Sequence, residues 1–202
     1  MTQSEFQALV VDTVRTPADA AARVLSSYDL PRQWLWMALV LMCVLNAIVY
    51  SISLQLSPPG DPAVMAMIPP AFQSPVLFTV FLCGVLVISV FVLHWIGQAM
   101  GGQGQMGDIL LVITWLQVMR LLLQAAVLVL SLVTPFLGGL LALIGAIWGI
   151  FILASFLDVA HRFDNIAKAV GVMVLALVAM LLGLSVIVTV IGAVVVGGTG
   201  YV

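Results

Sequence analysis

Five apolar runs, each long enough to cross a bilayer, constrain this chain more than any other feature. A span needs about 20 consecutive apolar residues. Such runs read at Trp34 to Leu54, Val76 to Trp95, Ile109 to Val133, Leu140 to Leu157 and Ala169 to Ile191. Lipid offers no water to satisfy backbone N–H and C=O groups, so each run must close its own hydrogen bonds as a helix. Composition agrees: 64% of the 202 residues are hydrophobic and 7% are charged, against about 25% charged in soluble domains. The expected fold is all-α, an integral membrane bundle of five transmembrane helices with a short amphipathic N-terminal helical region. Residues 1–31 form that region and 32–202 the membrane domain. A net charge of −2 gives no basic patch for nucleic acid.

The N-terminal region reads as two short helices. In the first, Ser4 is the expected N-cap, and Phe6, Leu9, Val10 and Val14 recur at helical spacing. The second opens with Thr16 as cap, Pro17 in the first turn and Asp19 completing a T-x-x-D capping box. Helices of this kind lie along a membrane surface, pack on a neighbour or dock a soluble partner. Glu5 and Asp12 interrupt any signal-peptide h-region. Beyond the first span, a proline-rich loop runs from Ser57 to Pro75 and cannot be helical throughout.

Polar residues inside the spans are few, which makes each of them informative. Arg120 lies deep within the third span, and an arginine at the bilayer centre costs roughly 2.5–3.5 kcal/mol on insertion scales. It is therefore expected to face protein or a polar cavity. Gln117 and Gln124 stand three residues before it and four after, so all three share one helix face. Asn46, in the first span, lies at about the same depth. Asn46, Gln117, Arg120 and Gln124 form the candidate functional polar face. Two uses of it are open: Arg120 bonds Asn46, Gln117 or Gln124, or reaches toward Asp108 or Asp158, and pins the bundle, or the face lines a substrate or lipid path.

Ahead of that helix stands Gly101-Gly102-Gln103-Gly104-Gln105-Met106-Gly107-Asp108. Its G-x-G-x-x-G spelling means a dinucleotide site only after a strand and with an acidic residue about 20 positions on. An apolar span precedes it here and the distant residue is apolar. The loop residues Gly101, Gly102, Gly104, Gly107 and Asp108 therefore read as a turn between membrane helices, with no cofactor. Gly145-Ala146-Ile147-Trp148-Gly149 is a G-x-x-x-G that admits close approach of a neighbouring helix. Gly138-Gly139 reads as part of a tight turn, and Asp158 to Asn165 as a polar loop. His94 and His161 lack partners at metal or triad spacing and read as interface residues. Cys43 and Cys83 read as small core residues. No catalytic, cofactor-binding or metal site is expected, so the chain is read as a non-enzyme.

Orientation follows from the basic residues. Arg15, Arg23 and Arg32 precede the first span, and Arg162 and Lys168 lie between the fourth and fifth. An odd number of spans puts these regions on one side, which the positive-inside rule makes cytoplasmic. The C-terminus is then extracytoplasmic.

The layout resembles the YIP1 family, in its bacterial branch. Thr16-Pro17-Ala18-Asp19-Ala20-Ala21-Ala22-Arg23-Val24 is similar to the segment of proline, small and basic residues before that family's first span. The run Gly101 to Leu110 resembles its Gly-Gly-x-Gly loop leading into the third span. Ala146-Ile147-Trp148, His161-Arg162-Phe163 and Lys168-Ala169 are similar to its fourth span and the loop after it. Many relatives have a proline in the middle of the third span, where this chain has Val118-Met119-Arg120. The resemblance implies a non-enzymatic protein of a bacterial inner membrane, a scaffold, assembly or trafficking-type factor. Its partners would be other membrane proteins or lipids, in a homo- or hetero-oligomer. Eukaryotic relatives act in vesicle trafficking with small GTPases, but their acidic-aromatic N-terminal motifs are absent here. The alternative is a small transporter or channel subunit using the Arg120 face.

Overall fold

The computed structural model describes residues 2–27, 31–56 and 67–198, apart from the side chains of 70, 71 and 187–198. The first helix, α1 (Gln3–Arg15), starts earlier than expected, because Thr2 rather than Ser4 caps it. The Thr2 hydroxyl accepts from the Glu5 N–H (3.3 Å), and the Glu5 carboxylate accepts from the Thr2 N–H (2.6 Å). This reciprocal box satisfies two donors that a helix start would strand. The backbone bond from Thr2, then its side chain, hold the Glu5 carboxyl below its ordinary value. Pro17 opens α2 (Pro17–Ser27), where its missing N–H costs nothing. The expected Thr16–Asp19 box is not made. Instead the Thr16 hydroxyl donates back to the Asp12 carbonyl at 3.5 Å. Asp12 and Arg23 pair across the hairpin that α1 and α2 make.

Among the described residues, five helices are long and apolar enough to span a membrane. They are α3 (Arg32–Leu56), α5 (Pro75–Ala99), α6 (Met106–Val133), α7 (Pro135–His161) and α8 (Ile166–Gly198), with a single turn, α4 (Pro70–Gln73), before α5. The expected loop from Ser57 lies outside the described residues up to 66, as do the last four residues of the chain. Among the described residues there is no strand.

Two expected loops are largely helix. Pro135 takes the first turn of α7, so Gly138 and Gly139 sit inside that helix. At its other end Asp158 to His161 form the last turn, which leaves only residues 162–165 as loop. Arg162 ends the helix in the left-handed conformation (φ 56°, ψ 44°), and Asp164 follows at φ 49°. The Asp158 carboxylate accepts from the Asn165 N–H at 2.9 Å and closes the loop.

The core is built around the first half of α6. Every residue from Ile109 to Trp115 is buried, enclosed by α2, α3, α5 and α7. Its second half packs mainly along α7. Gly138 meets Ser131, and a Cβ at Gly145 would come within 2.5 Å of Leu123. Small residues thus let the α6–α7 hairpin close tightly, as the G-x-x-x-G expectation had it for Gly145. A Cβ at Gly149 would meet nothing within 4 Å, so that glycine faces open space. The N-terminal hairpin takes the packing role among those expected of it. Ala20, Ala21 and Val24 are fully buried, and two tryptophans of the spans bond to α1. Trp115 Nε1 donates to Thr13 Oγ1 (3.1 Å) and Trp148 Nε1 to the Val14 carbonyl (2.9 Å).

Candidate functional site

Of the four polar residues of the candidate face, Asn46 and Gln117 are buried, Gln124 is half-buried and Arg120 is exposed. Asn46, on α3, is fully buried against α6. Its Nδ2 donates to the Met42 carbonyl (2.8 Å) and to the Gln117 carbonyl (3.2 Å). Asn46 thus meets the third span about one turn before Arg120, through the Gln117 backbone. Gln117 is also buried. The Oδ1 of Asn46 and the Oε1 atoms of Gln117 and Gln124 are all buried without a hydrogen-bond partner.

Arg120 departs from expectation. It is exposed on the bundle surface and makes no hydrogen bond or ion pair among the described residues. It therefore does not pin the bundle within this chain. The reason is angular: three and four residue steps spread a helical stripe across tens of degrees. Here α3 takes the Gln117 edge of the stripe and leaves Arg120 outside. Arg120, Gln124 and Ser131 recur at helical spacing, and Ser131 meets Gly138 on α7. The stripe thus runs along the α6–α7 seam. The register set by Ser131 with Gly138 and Leu123 with Gly145 carries Trp148 to the level of Arg120. Since Trp148 holds the end of α1, Arg120 marks where the cover of the N-terminal hairpin stops.

The glycine loop has a different role from any ligand cradle. His161, the last residue of α7, is fully buried, and the loop wraps its ring. A Cβ on Gly97 would strike the ring itself, and one on Gly102 would lie 2.8 Å from Nδ1. At Gly104 it would lie 2.9 Å from Nδ1 and 2.5 Å from the Ala160 carbonyl. The Gln103 N–H donates to the His161 carbonyl (2.8 Å), tying loop to helix end. Gly101 supplies the left-handed turn at φ 87°. Gly107 has open space around it. Asp108 is a cap: its carboxylate accepts from the Gln105 N–H (2.9 Å) at the start of α6. His94 and His161, read from the sequence as interface residues, are both buried near helix ends. Sequence reasoning missed His161 as the loop's filling; the signal was a glycine-rich loop facing a helix that ends in a large ring.

Beside α2, a cavity of about 460 Å³ is bordered by Asp108, Asp158, Arg162 and Asp164. No cluster of three metal-ligating side chains occurs among the described residues. Cys43 is buried, Cys83 is half-buried, and both are free.

Comparisons with curated proteins and with solved structures find no match for this chain. The Yip1 domain family matches residues 11–187, from the middle of α1 into α8. That range takes in the end of α1, all of α2, the glycine loop around His161 and the five candidate spans, so the chain belongs to the Yip1 family.

Proposed function

We propose that this Yip1-domain protein is a non-enzymatic scaffold or assembly factor of a bacterial inner membrane, which acts by binding other membrane components. The observation that carries the reading is Arg120, exposed and unpaired on a membrane-spanning helix. A guanidinium in such a place is costly unless something outside the chain accepts its hydrogen bonds. The basic residues at Arg15, Arg23, Arg32, Arg162 and Lys168 favour a cytoplasmic N-terminus and an extracytoplasmic C-terminus. The transporter reading is less favoured, because Asn46 is tied to the Met42 and Gln117 carbonyls and does not line a passage. Purification in mild detergent tests the proposal. One stoichiometric membrane partner, present with wild type and lost with Arg120→Leu, is the expected result. Uptake activity with no partner would replace it with the transporter reading.

A further inference from the structure

The two cysteines of the chain meet inside the bundle. Trp36, Cys43 and Tyr50 stand seven residues apart on α3, and seven residues make nearly two helical turns, so the three share one stripe. That stripe faces α5, which packs against α3. Trp36 stacks on Phe91 with ring centres 6.1 Å apart, and Tyr50 stacks on Phe78 at 4.4 Å. These two contacts fix an antiparallel register. Cys43 lies midway between Trp36 and Tyr50, and Cys83 lies close to midway between Phe78 and Phe91. The sulfurs therefore fall at one level, and the two thiols interact. We infer that Cys43 and Cys83 form one oxidisable dithiol, which a membrane quinone closes to a disulfide between α3 and α5.

Position selects the oxidant. Apart from Arg32 in the first turn of α3, neither helix carries an Asp, Glu, Lys or Arg. Cys83 is eight residues from Pro75 and sixteen from Ala99, about 12 and 24 Å along α5. The N-terminal hairpin is seated mainly on α6 and α7. A thiol enclosed on every side is inert, and reactivity needs access. Cys43 is fully buried, but Cys83 is only half-buried, and Val80, one turn before it, is exposed. Access to the pair is therefore from lipid, where a quinone dissolves and charged glutathione does not. Quinones accept electrons from protein dithiols. The Cys83 S–H adds to a quinone carbonyl, forming an S–C bond and passing its proton to the carbonyl oxygen. The Cys43 sulfur then attacks the Cys83 sulfur. The S–S bond forms as the S–C bond breaks, its electron pair enters the ring, and the second quinone oxygen takes the Cys43 proton. Two electrons and two protons leave the thiols, and the quinone becomes a hydroquinone. Nothing in this chemistry depends on what Arg120 binds.

The experiment uses the full chain, reduced and held without oxygen in phosphatidylcholine vesicles, with decylubiquinone as the probe. Remaining thiols are alkylated after denaturation, and the digest is read by mass spectrometry while absorbance follows the quinone. Wild type is expected to give one peptide pair joined through Cys43 and Cys83, lost on treatment with dithiothreitol. One hydroquinone should appear for each disulfide formed. Cys43→Ala and Cys83→Ala should each give neither product while keeping the helical spectrum of wild type. The decisive reading is made on wild type, so it does not depend on how either variant folds. Two thiols still open to alkylation after the quinone overturn the inference. So does a stable quinone adduct on Cys83 without a disulfide, which would show that Cys43 cannot reach it. Disulfides between copies overturn it in favour of an intermolecular link. Oxidised glutathione closing the pair as fast as the quinone overturns the choice of oxidant, and with it the inference.

Discussion

Arg120 and His161 show two ways in which a polar side chain is accommodated in an apolar bundle. His161 is enclosed by its own chain, and the glycines exist to make room for its ring. Alanine at Gly102 would push a Cβ to 2.8 Å from the Gly97 carbonyl, and overpacking of that kind costs about 1–3 kcal/mol. Gly102→Ala and Gly104→Ala should each lower the melting temperature in detergent and the folded yield. Gly107→Ala, with open space around it, should leave both unchanged. Gly97→Ala tests the cause directly. Its defect should be relieved by adding His161→Ala, a non-additivity that only a shared clash produces. If the double variant is as unstable as the two losses added together, His161 is not what the glycine accommodates. Arg120 presents the opposite case, with no internal bond to lose. Arg120→Leu should be at least as heat-stable as wild type, because removing the charge gains roughly 2.5–3.5 kcal/mol of insertion free energy. Melts in one detergent check this, and an unfolded variant would show a satisfied internal network. Asn46→Leu alongside should shift the melt only slightly, since hydrogen bonds within membranes average about 0.6 kcal/mol.

At the scale of elements, the N-terminal hairpin is part of the bundle and not a loose appendage. Its hold comes from Val24 and the small Ala20 and Ala21 pressed on α7, from Phe6 edge-on to Trp115 at 5.9 Å between ring centres, and from the two indole bonds. Each of those bonds should contribute about 0.5–1.5 kcal/mol. Trp115→Phe and Trp148→Phe keep the aromatic area and delete the donors. Both should leave the spans inserted and speed proteolysis within α1 and α2 several-fold, with the pair faster than either alone. Unchanged cleavage in the double variant would mean that burial alone holds the hairpin. The amphipathic periodicity of α1 and α2 was legible because water faces one side of them. Their seating was not, since Trp115 and Trp148 read simply as apolar residues within spans.

For the whole molecule, the basic residues predict topology. Reporter fusions at Asp61 and Val202 should be active only outside the cytoplasm, and fusions at Gln103 and Asp164 only inside it. An external signal at Asp164 would reverse the orientation or remove a span. The five spans, the glycine loop and the meeting of Asn46 with the polar stripe of the third span could be read without coordinates, but the bond of Asn46 to the Gln117 carbonyl could not.

What the sequence determined by itself is what lipid forces on any chain. Apolar length fixes the number of spans, proline marks the starts of several of them, and the scarcity of charge makes Arg120 conspicuous. What only tertiary structure decided is direction: that α6 buries Ile109 to Trp115 on every side, that Gln117 turns inward while Arg120 stays out, and that His161 fills the glycine loop. The physical reason is the solvent. In water a helix advertises its buried face by being apolar there and polar elsewhere. In a bilayer lipid and protein interior are equally apolar, so the sequence of a span does not distinguish them.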